Sequence, residues 1–260
     1  MSNDLIRENR DGIAHVTFNR AQARNALTFE MYEGLARICT EIADDPAIGA
    51  LVIRGAGDKA FASGSEISQF LDFKGGGDGI AYEQRLDRIL SAIERCPKPV
   101  IAAISGACTG GGAAIAAVCD LRIGTTSTRV GVPVARTLGN CLSLASLARF
   151  AALIGMARTA EIMLTSRLLS AGEALSLGFL NEVVDTPEAL DARVAELAKS
   201  VAALAPLTIR VTKEQMRRMR SALIANLNDD DLIALCYGSE DFRNGVEAFV
   251  ARREPKWRGR

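Results

Sequence analysis

Apolar and polar residues alternate along Ile13–Phe18, with Ala14, Val16 and Phe18 on one side and His15 and Thr17 on the other, the pattern of a half-buried strand. The chain then passes through Asn19–Leu27 to Thr28, whose hydroxyl is placed to cap a helix. Ala50–Arg54 reads as a short apolar strand, set off by Pro46 before it and by Gly55 and Gly57 after it. Lys74–Gly79 (KGGGDG) reads as a mobile glycine loop, followed by a helix over Ala81–Arg95 that stops before Pro97. Pro99–Ser105 is apolar without a break, which marks a strand covered on both faces. It leads through Gly106 into Thr109-Gly-Gly-Gly112 and an alanine-rich helix ending at Val118, and Asp120–Gly124 predicts a further strand. Cys141–Ile154 is apolar almost all round except at Arg149, so a helix there is buried on several sides. Ser170 and Glu173 form a capping box for a short helix closed by Gly178, and Phe179–Val184 predicts the last strand. Beyond it only helices are predicted, the first capped by Thr186 with Pro187 at its first position and the last running from Ser239 to about Arg253. The pattern is that of an α/β core over residues 1–185 and a helical C-terminal region over 186–260.

Composition narrows what such a fold can do. With 48% hydrophobic residues in 260, the chain can bury a large core without staples. Lys+Arg and Asp+Glu are equal at 31, which argues against nucleic acid or an anionic membrane surface as partner. A local basic run (Arg252, Arg253, Lys256, Arg258, Arg260) suits one anionic ligand. The first residues are polar and charged, and no apolar stretch approaches the ~20 residues of a membrane helix, so a cytoplasmic protein is expected. Six cysteines without a CxxC pair read as reduced thiols. The single histidine, His15, reads as a sheet residue, and without a GxSxG motif a hydrolase triad is not expected. With no His or Cys cluster, no metal is expected either. Gly55-x-Gly57-x-x-Ala60 fits a dinucleotide fingerprint, but Phe61-Ala-Ser-Gly stands where that motif must open a helix.

Two small-residue turns carry the chemistry. A helix beginning at Gly110–Gly112 exposes unpaired N–H groups at its positive end, where developing negative charge is stabilised. Phe61-Ala-Ser-Gly-Ser-Glu-Ile67 is a second such turn ahead of a short helical pattern. Together with Asn19–Leu27, Lys98–Gly112, Cys119-Asp120, Arg167–Val184 and Phe242–Trp257, this segment resembles the crotonase family, the enoyl-CoA hydratase/isomerase group, in order and over nearly the whole chain.

The resemblance implies a crotonase-like superhelix of ββα turns with a C-terminal trimerisation region, giving a trimer or a dimer of trimers. It implies that the substrate is an acyl-CoA thioester, with no cofactor beyond that coenzyme A. It implies that the backbone N–H groups of Ser65 and Gly111 form the oxyanion hole, and that Arg24, Ala26, Ser63, Gly64, Ser65, Glu66, Ile67 and Gly110 line the coenzyme or the thioester. Phe249 and Arg252 match positions that close over coenzyme A. Family hydratases carry two glutamates as acid and base; the matching positions here are Ala114 and Val134, neither of which can move a proton. Glu66, in place of a family aspartate, reads as structural or ligand-side. Cys141 reads as a buried thiol, and Arg136 as a partner either for a substrate carboxylate or for a helix end. Two readings follow. One is an enzyme working through enolate stabilisation, by decarboxylation or double-bond migration; the other is a non-catalytic acyl-CoA-binding protein on the same fold.

Overall fold

The computed structural model describes residues 3–260. The chain opens with a hairpin, β1 (Leu5–Arg10) and β2 (Ile13–Phe18), and helix α1 (Phe29–Glu41). Three units follow, each of two strands and then one or two helices. They are β3 (Ala50–Gly55), β4 (Ala60–Ala62) and α2 (Gly76–Arg95); β5 (Val100–Ile104), β6 (Ala107–Thr109) and α3 (Gly111–Val118); and β7 (Leu121–Thr125), β8 (Arg129–Gly131), α4 (Val134–Thr137) and α5 (Leu144–Thr165). Then come β9 (Leu169–Ser170), α6 (Ala171–Ser176), β10 (Glu182–Val184) and four helices, α7 (Pro187–Ala202), α8 (Pro206–Ala222), α9 (Asp230–Tyr237) and α10 (Glu240–Val250).

Within each unit the first strand joins a six-stranded sheet, ordered β1-β2-β3-β5-β7-β10, and the second joins a smaller sheet, ordered β4-β6-β8-β9. All pairs from β2 through β10 in the large sheet are parallel. This is the superhelix of ββα turns that the resemblance implies. The central strand β5 is buried at every position, which its unbroken apolar sequence requires. One face of the large sheet packs on α1, α2 and α3; Leu190, Val194 and Ala198 of α7 cover the other, against Ile13, Val52, Ile101 and Ile123. The caps read from the sequence are present: Thr28 accepts from the Met31 N–H, Thr186 from Ala189, and Ser170 with Glu173 closes a reciprocal box.

Several expectations are corrected. Lys74–Gly79 is not a loop throughout, since α2 begins at Gly76 and the Asp78 carboxylate accepts from the N–H groups of Lys74 and Gly75. Two of its glycines serve contact: a Cβ on Gly76 would lie 2.6 Å from the Ala234 Cα, and one on Gly79 2.3 Å from the Tyr237 Cβ, so α9 packs directly on their backbone. The helix expected over Cys141–Ile154 starts at Leu144 behind a Ser143 cap and continues to Thr165 through a break at Gly155 (φ 76°, ψ 160°). Strand β1 and the three-residue strands β4, β6 and β8 were not expected from the residue pattern. Among the described residues no helix is long and apolar enough to cross a membrane.

Candidate active site

The two small-residue turns meet. Segment 24–27 runs beside segment 63–66, with Ser63 N–H donating to Arg24 O, Leu27 N–H to Gly64 O, and Glu66 N–H to Leu27 O. The fully buried Asn25 holds this arrangement: its amide nitrogen donates to Ala56 O and Ala60 O at 3.0 and 2.7 Å, and its oxygen accepts from the Arg20 N–H. Gly64 (φ 116°) and Gly110 (φ 53°) take left-handed conformations that favour glycine, and a Cβ on Gly110 would stand 3.3 Å from the Gly64 Cα. Gly112 lets α3 start against β4, since a Cβ there would sit 2.3 Å from Ala62 O. Among the described residues, neither the Ser65 nor the Gly111 N–H donates to a protein acceptor.

These turns border a cavity of about 610 Å³. Arg24, Ala26, Ser63, Gly64, Ser65, Glu66, Ile67, Gly110, Gly111 and Phe249 all line it, so the structure brings together every residue that the resemblance assigns to the oxyanion hole or the coenzyme except Arg252. Arg252 lies exposed just past the end of α10 and does not reach the cavity. Ala114 and Val134 line the wall as well. Glu66 pairs with Arg20 at 3.1 Å. Arg136 is exposed and off the cavity, so it faces no substrate carboxylate there. Cys141 lines the cavity, but burial and the neighbouring Cys236 push its thiol up, away from thiolate character. His15 sits in β2, its imidazole pushed down by burial and by Arg10 and Arg54.

Three features escaped the sequence reading. The first is a chain of hydroxyls beside Gly111: Tyr32 O–H lies 3.0 Å from Ser65 Oγ, which lies 2.8 Å from the Tyr82 hydroxyl. Burial raises both tyrosines, so they stay protonated. Three protons serve two hydrogen bonds, which leaves one spare. Tyr32 is almost fully buried and has only Ser65 to donate to, so the spare O–H belongs to Ser65 or Tyr82, both of which line the cavity. The second is Glu83 of α2, buried yet lining the cavity, which accepts from Tyr237 O–H at 2.7 Å and from the Ser143 N–H at 3.2 Å. Burial is the main cause that lifts its carboxyl above the ordinary range, with Asp229 adding to it and the two hydrogen bonds opposing. The third is an aromatic wall of Phe70, Phe73, Tyr82, Tyr237 and Phe242, packed edge-on and tilted. The available signal for Glu83 was its place on the apolar stripe of α2, in line with Leu86, Leu90 and Ile93.

Chemically, the arrangement offers two free backbone donors, one directed hydroxyl and one carboxyl around an apolar chamber. That suits an acyl group whose carbonyl oxygen gains negative charge.

Comparison with known proteins finds relatives along nearly the whole chain. Residues 8–260 match the family described as enoyl-CoA hydratase/isomerase. The chain is 30% identical to a short-chain-enoyl-CoA hydratase of Clostridium acetobutylicum over 97% of its own length and 96% of that protein. It is 29% identical to a peroxisomal Delta(3,5)-Delta(2,4)-dienoyl-CoA isomerase of Arabidopsis thaliana, covering 98% and 96%. A solved methylmalonyl-CoA decarboxylase in complex with 2-nitronate-propionyl-CoA superposes with a TM-score of 0.90 at 27% identity, covering 99% of each chain.

Proposed function

The chain belongs to the enoyl-CoA hydratase/isomerase family, and on that premise we propose that it stabilises the enolate of an acyl-CoA thioester between the backbone N–H groups of Ser65 and Gly111. The observation that carries this reading is the meeting of the two turns, which leaves both N–H groups without a protein acceptor at the edge of the cavity. Negative charge developing on the thioester oxygen would be met by fixed donors, each worth ~10²–10³ in rate. The spare hydroxyl proton of the Ser65–Tyr82 pair supplies a third donor to the same region. Arg24, Ala26 and the Ser63–Ile67 backbone would hold the coenzyme, with Phe249 closing over it. No cofactor besides that coenzyme is needed.

Ordinary hydration is disfavoured, because it uses one group to activate water and another to deliver a proton, and Ala114 and Val134 offer neither. The same two residues favour the second reading, an acyl-CoA-binding protein without turnover. We further propose a cytoplasmic trimer or dimer of trimers. Its motive is α8, which buries none of its residues while Leu207, Val211, Met216 and Met219 on it and Leu223 at its C-terminal cap are each more than half exposed.

The test is a panel of CoA thioesters of increasing chain length, each titrated by calorimetry and incubated with pure protein, the products read by mass spectrometry. Saturable binding with turnover of any 2- or 3-enoyl or carboxyacyl thioester supports the enzyme. Binding without turnover selects the silent binder, and no binding to any member removes both.

A further inference from the structure

Helix α2 turns two buried glutamates inward, and the protein treats them differently. Glu94 accepts from Arg149 Nε and Nη2, both at 3.1 Å, and Arg220 joins the same network. Glu83, about three turns earlier, forms no ion pair among the described residues. A buried carboxyl kept only for structure is ordinarily paired, because an unpaired charge away from water is destabilising. Its surroundings are neutral or acidic: the Tyr237 and Tyr82 hydroxyls, the Ser143 N–H, the Cys141 thiol and the Asp229 carboxylate. It nonetheless lines the same cavity as Ser65, Gly111, Ala114 and Val134. The residue before it, Tyr82, touches Ser65 Oγ at 2.8 Å, so α2 passes directly beside the proposed oxyanion hole.

We propose that Glu83 is the acid–base residue of this site and that it commits the site to double-bond migration in an enoyl-CoA. The proposal rests on the enolate-stabilising reading above. The Glu83 carboxylate takes a proton from C2 of a 3-enoyl thioester. The C–H electron pair moves into the C1–C2 bond and the carbonyl pair onto oxygen, giving a dienolate held by the Ser65 and Gly111 N–H groups. As the carbonyl re-forms, the C2=C3 bond forms, the old C3=C4 pair takes the proton back from the Glu83 carboxylic acid at C4, and the carboxylate is restored. One proton leaves C2, one arrives at C4, and no water, oxidant or other reactant is consumed. A single carboxyl suffices for this cycle, whereas hydration needs two groups. Decarboxylation fits less well, because among the described residues Arg24 is the sole cationic side chain lining the cavity and lies among those proposed to hold the coenzyme. A carboxyl raised by burial is the stronger base once ionised, and its acid form can return the proton to C4.

The experiment uses trans-3-hexenoyl-CoA in deuterium oxide, with the product and its deuterium content read by mass spectrometry and NMR, and hexanoyl-CoA as a non-reacting ligand for calorimetry. Wild type should form 2-hexenoyl-CoA, and its kcat/KM should rise with pH along an acid limb above the ordinary glutamate range. Glu83→Gln should lose ~10²-fold or more in rate, together with that limb, while binding hexanoyl-CoA as wild type does. Glu83→Asp should recover part of the rate. Tyr237→Phe removes the O–H that lowers Glu83 and should move the limb upward, which keeps the test decisive if Glu83→Gln fails to fold. Wild-type isomerisation with an equally active Glu83→Gln, or with an unmoved limb in Tyr237→Phe, overturns the assignment and leaves the proposed function standing. Hexanoyl-CoA binding with neither isomerisation nor deuterium exchange overturns it in favour of the silent binder. Failure to bind any thioester removes the proposed function itself.

Discussion

A methyl group at position 111 should be incompatible with the Tyr32 hydroxyl, and removing that hydroxyl should partly rescue it. An ideal Cβ on Gly111 lies 1.7 Å from the Tyr32 hydroxyl oxygen. Contact distances of ~3.5 Å mean that one group must retreat by roughly 1.5–2 Å. Tyr32 is 1% exposed and has nowhere to go. Overpacking of this kind costs ~1–3 kcal/mol, and moving the hydroxyl breaks its 3.0 Å bond to Ser65 Oγ, worth about 1 kcal/mol. Gly111→Ala alone should therefore destabilise by ~2–4 kcal/mol. In Tyr32→Phe the atoms nearest the new methyl become the ring Cζ at 3.1 Å and Ser65 Oγ at 3.2 Å, contacts that a shift of a few tenths of an ångström relieves. The double variant should be ~1–2 kcal/mol more stable than the sum of the single effects predicts. Urea unfolding followed by circular dichroism measures all four corners of the cycle. Additivity within ~0.5 kcal/mol would refute the steric argument. The folded double variant also tests the oxyanion hole cleanly, because the helix start and Ser65 are pushed apart. Its turnover should fall at least about tenfold below Tyr32→Phe alone, and undiminished turnover would show that a side chain at 111 does not disturb the donor geometry.

Other outcomes follow from the same geometry. The folded Glu83 carboxyl is raised by burial, so its contribution to stability is complete below the ordinary glutamate value of about 4.3 and is lost as pH rises through the higher folded value. Glu83→Gln should match wild type in melting temperature near pH 4 and exceed it near pH 8; a constant gap would mean that burial does not hold the proton. Tyr82→Phe deletes one member of the hydroxyl chain and should cost about 1 kcal/mol in stability and slow turnover with little change in KM, whereas a KM effect alone would point to simple binding. Met219→Glu on α8 should convert the assembly to monomer in light scattering, and an unchanged particle mass would place the interface elsewhere. Ala114→Glu should not create crotonyl-CoA hydration, because Val134 at the paired position still moves no proton; robust hydration would show that position 114 alone limits the chemistry.

How much of this was legible in the sequence depended on whether the signal was local. The turns at Ser63–Ile67 and Gly110–Gly112 were readable because small residues in a strand–turn–helix context have few structural alternatives. The caps at Thr28, Ser170 and Thr186 were readable because an N-cap is written in one or two residues. Strands of three residues such as β4, β6 and β8 are too short to display a period of two, so only the resemblance pointed to them. Strand β1 is half exposed at the edge of its sheet, and its charged residues hide the alternation. Tyr32 and Ser65 are distant in sequence, so no spacing rule could pair them.

Glu83 was missed for a more instructive reason. With the glycine run taken as a loop, the helix begins at Ala81, and Glu83 falls in the first turn, where an acid facing solvent at the positive helix end needs no further account. Starting the helix at Gly76 moves the same residue to the interior, beyond the reach of that explanation, and aligns it with the buried stripe of Leu86 and Leu90. The glycines that suggested flexibility are what allow this, because α9 could not approach the start of α2 over side chains. That approach brings Tyr237 to the Glu83 carboxylate. Close backbone packing at Gly76 and Gly79 and the carboxyl in the cavity are thus consequences of one helix–helix contact. The small side chain at Ala114 belongs with them: α2 packs against α3, and a second carboxyl in the same apolar chamber would titrate with Glu83 as a coupled pair, whereas alanine leaves one carboxyl to cycle alone. The alanine on α3 and the glutamate on α2 are therefore better understood as a single arrangement than as a loss and an unrelated buried charge.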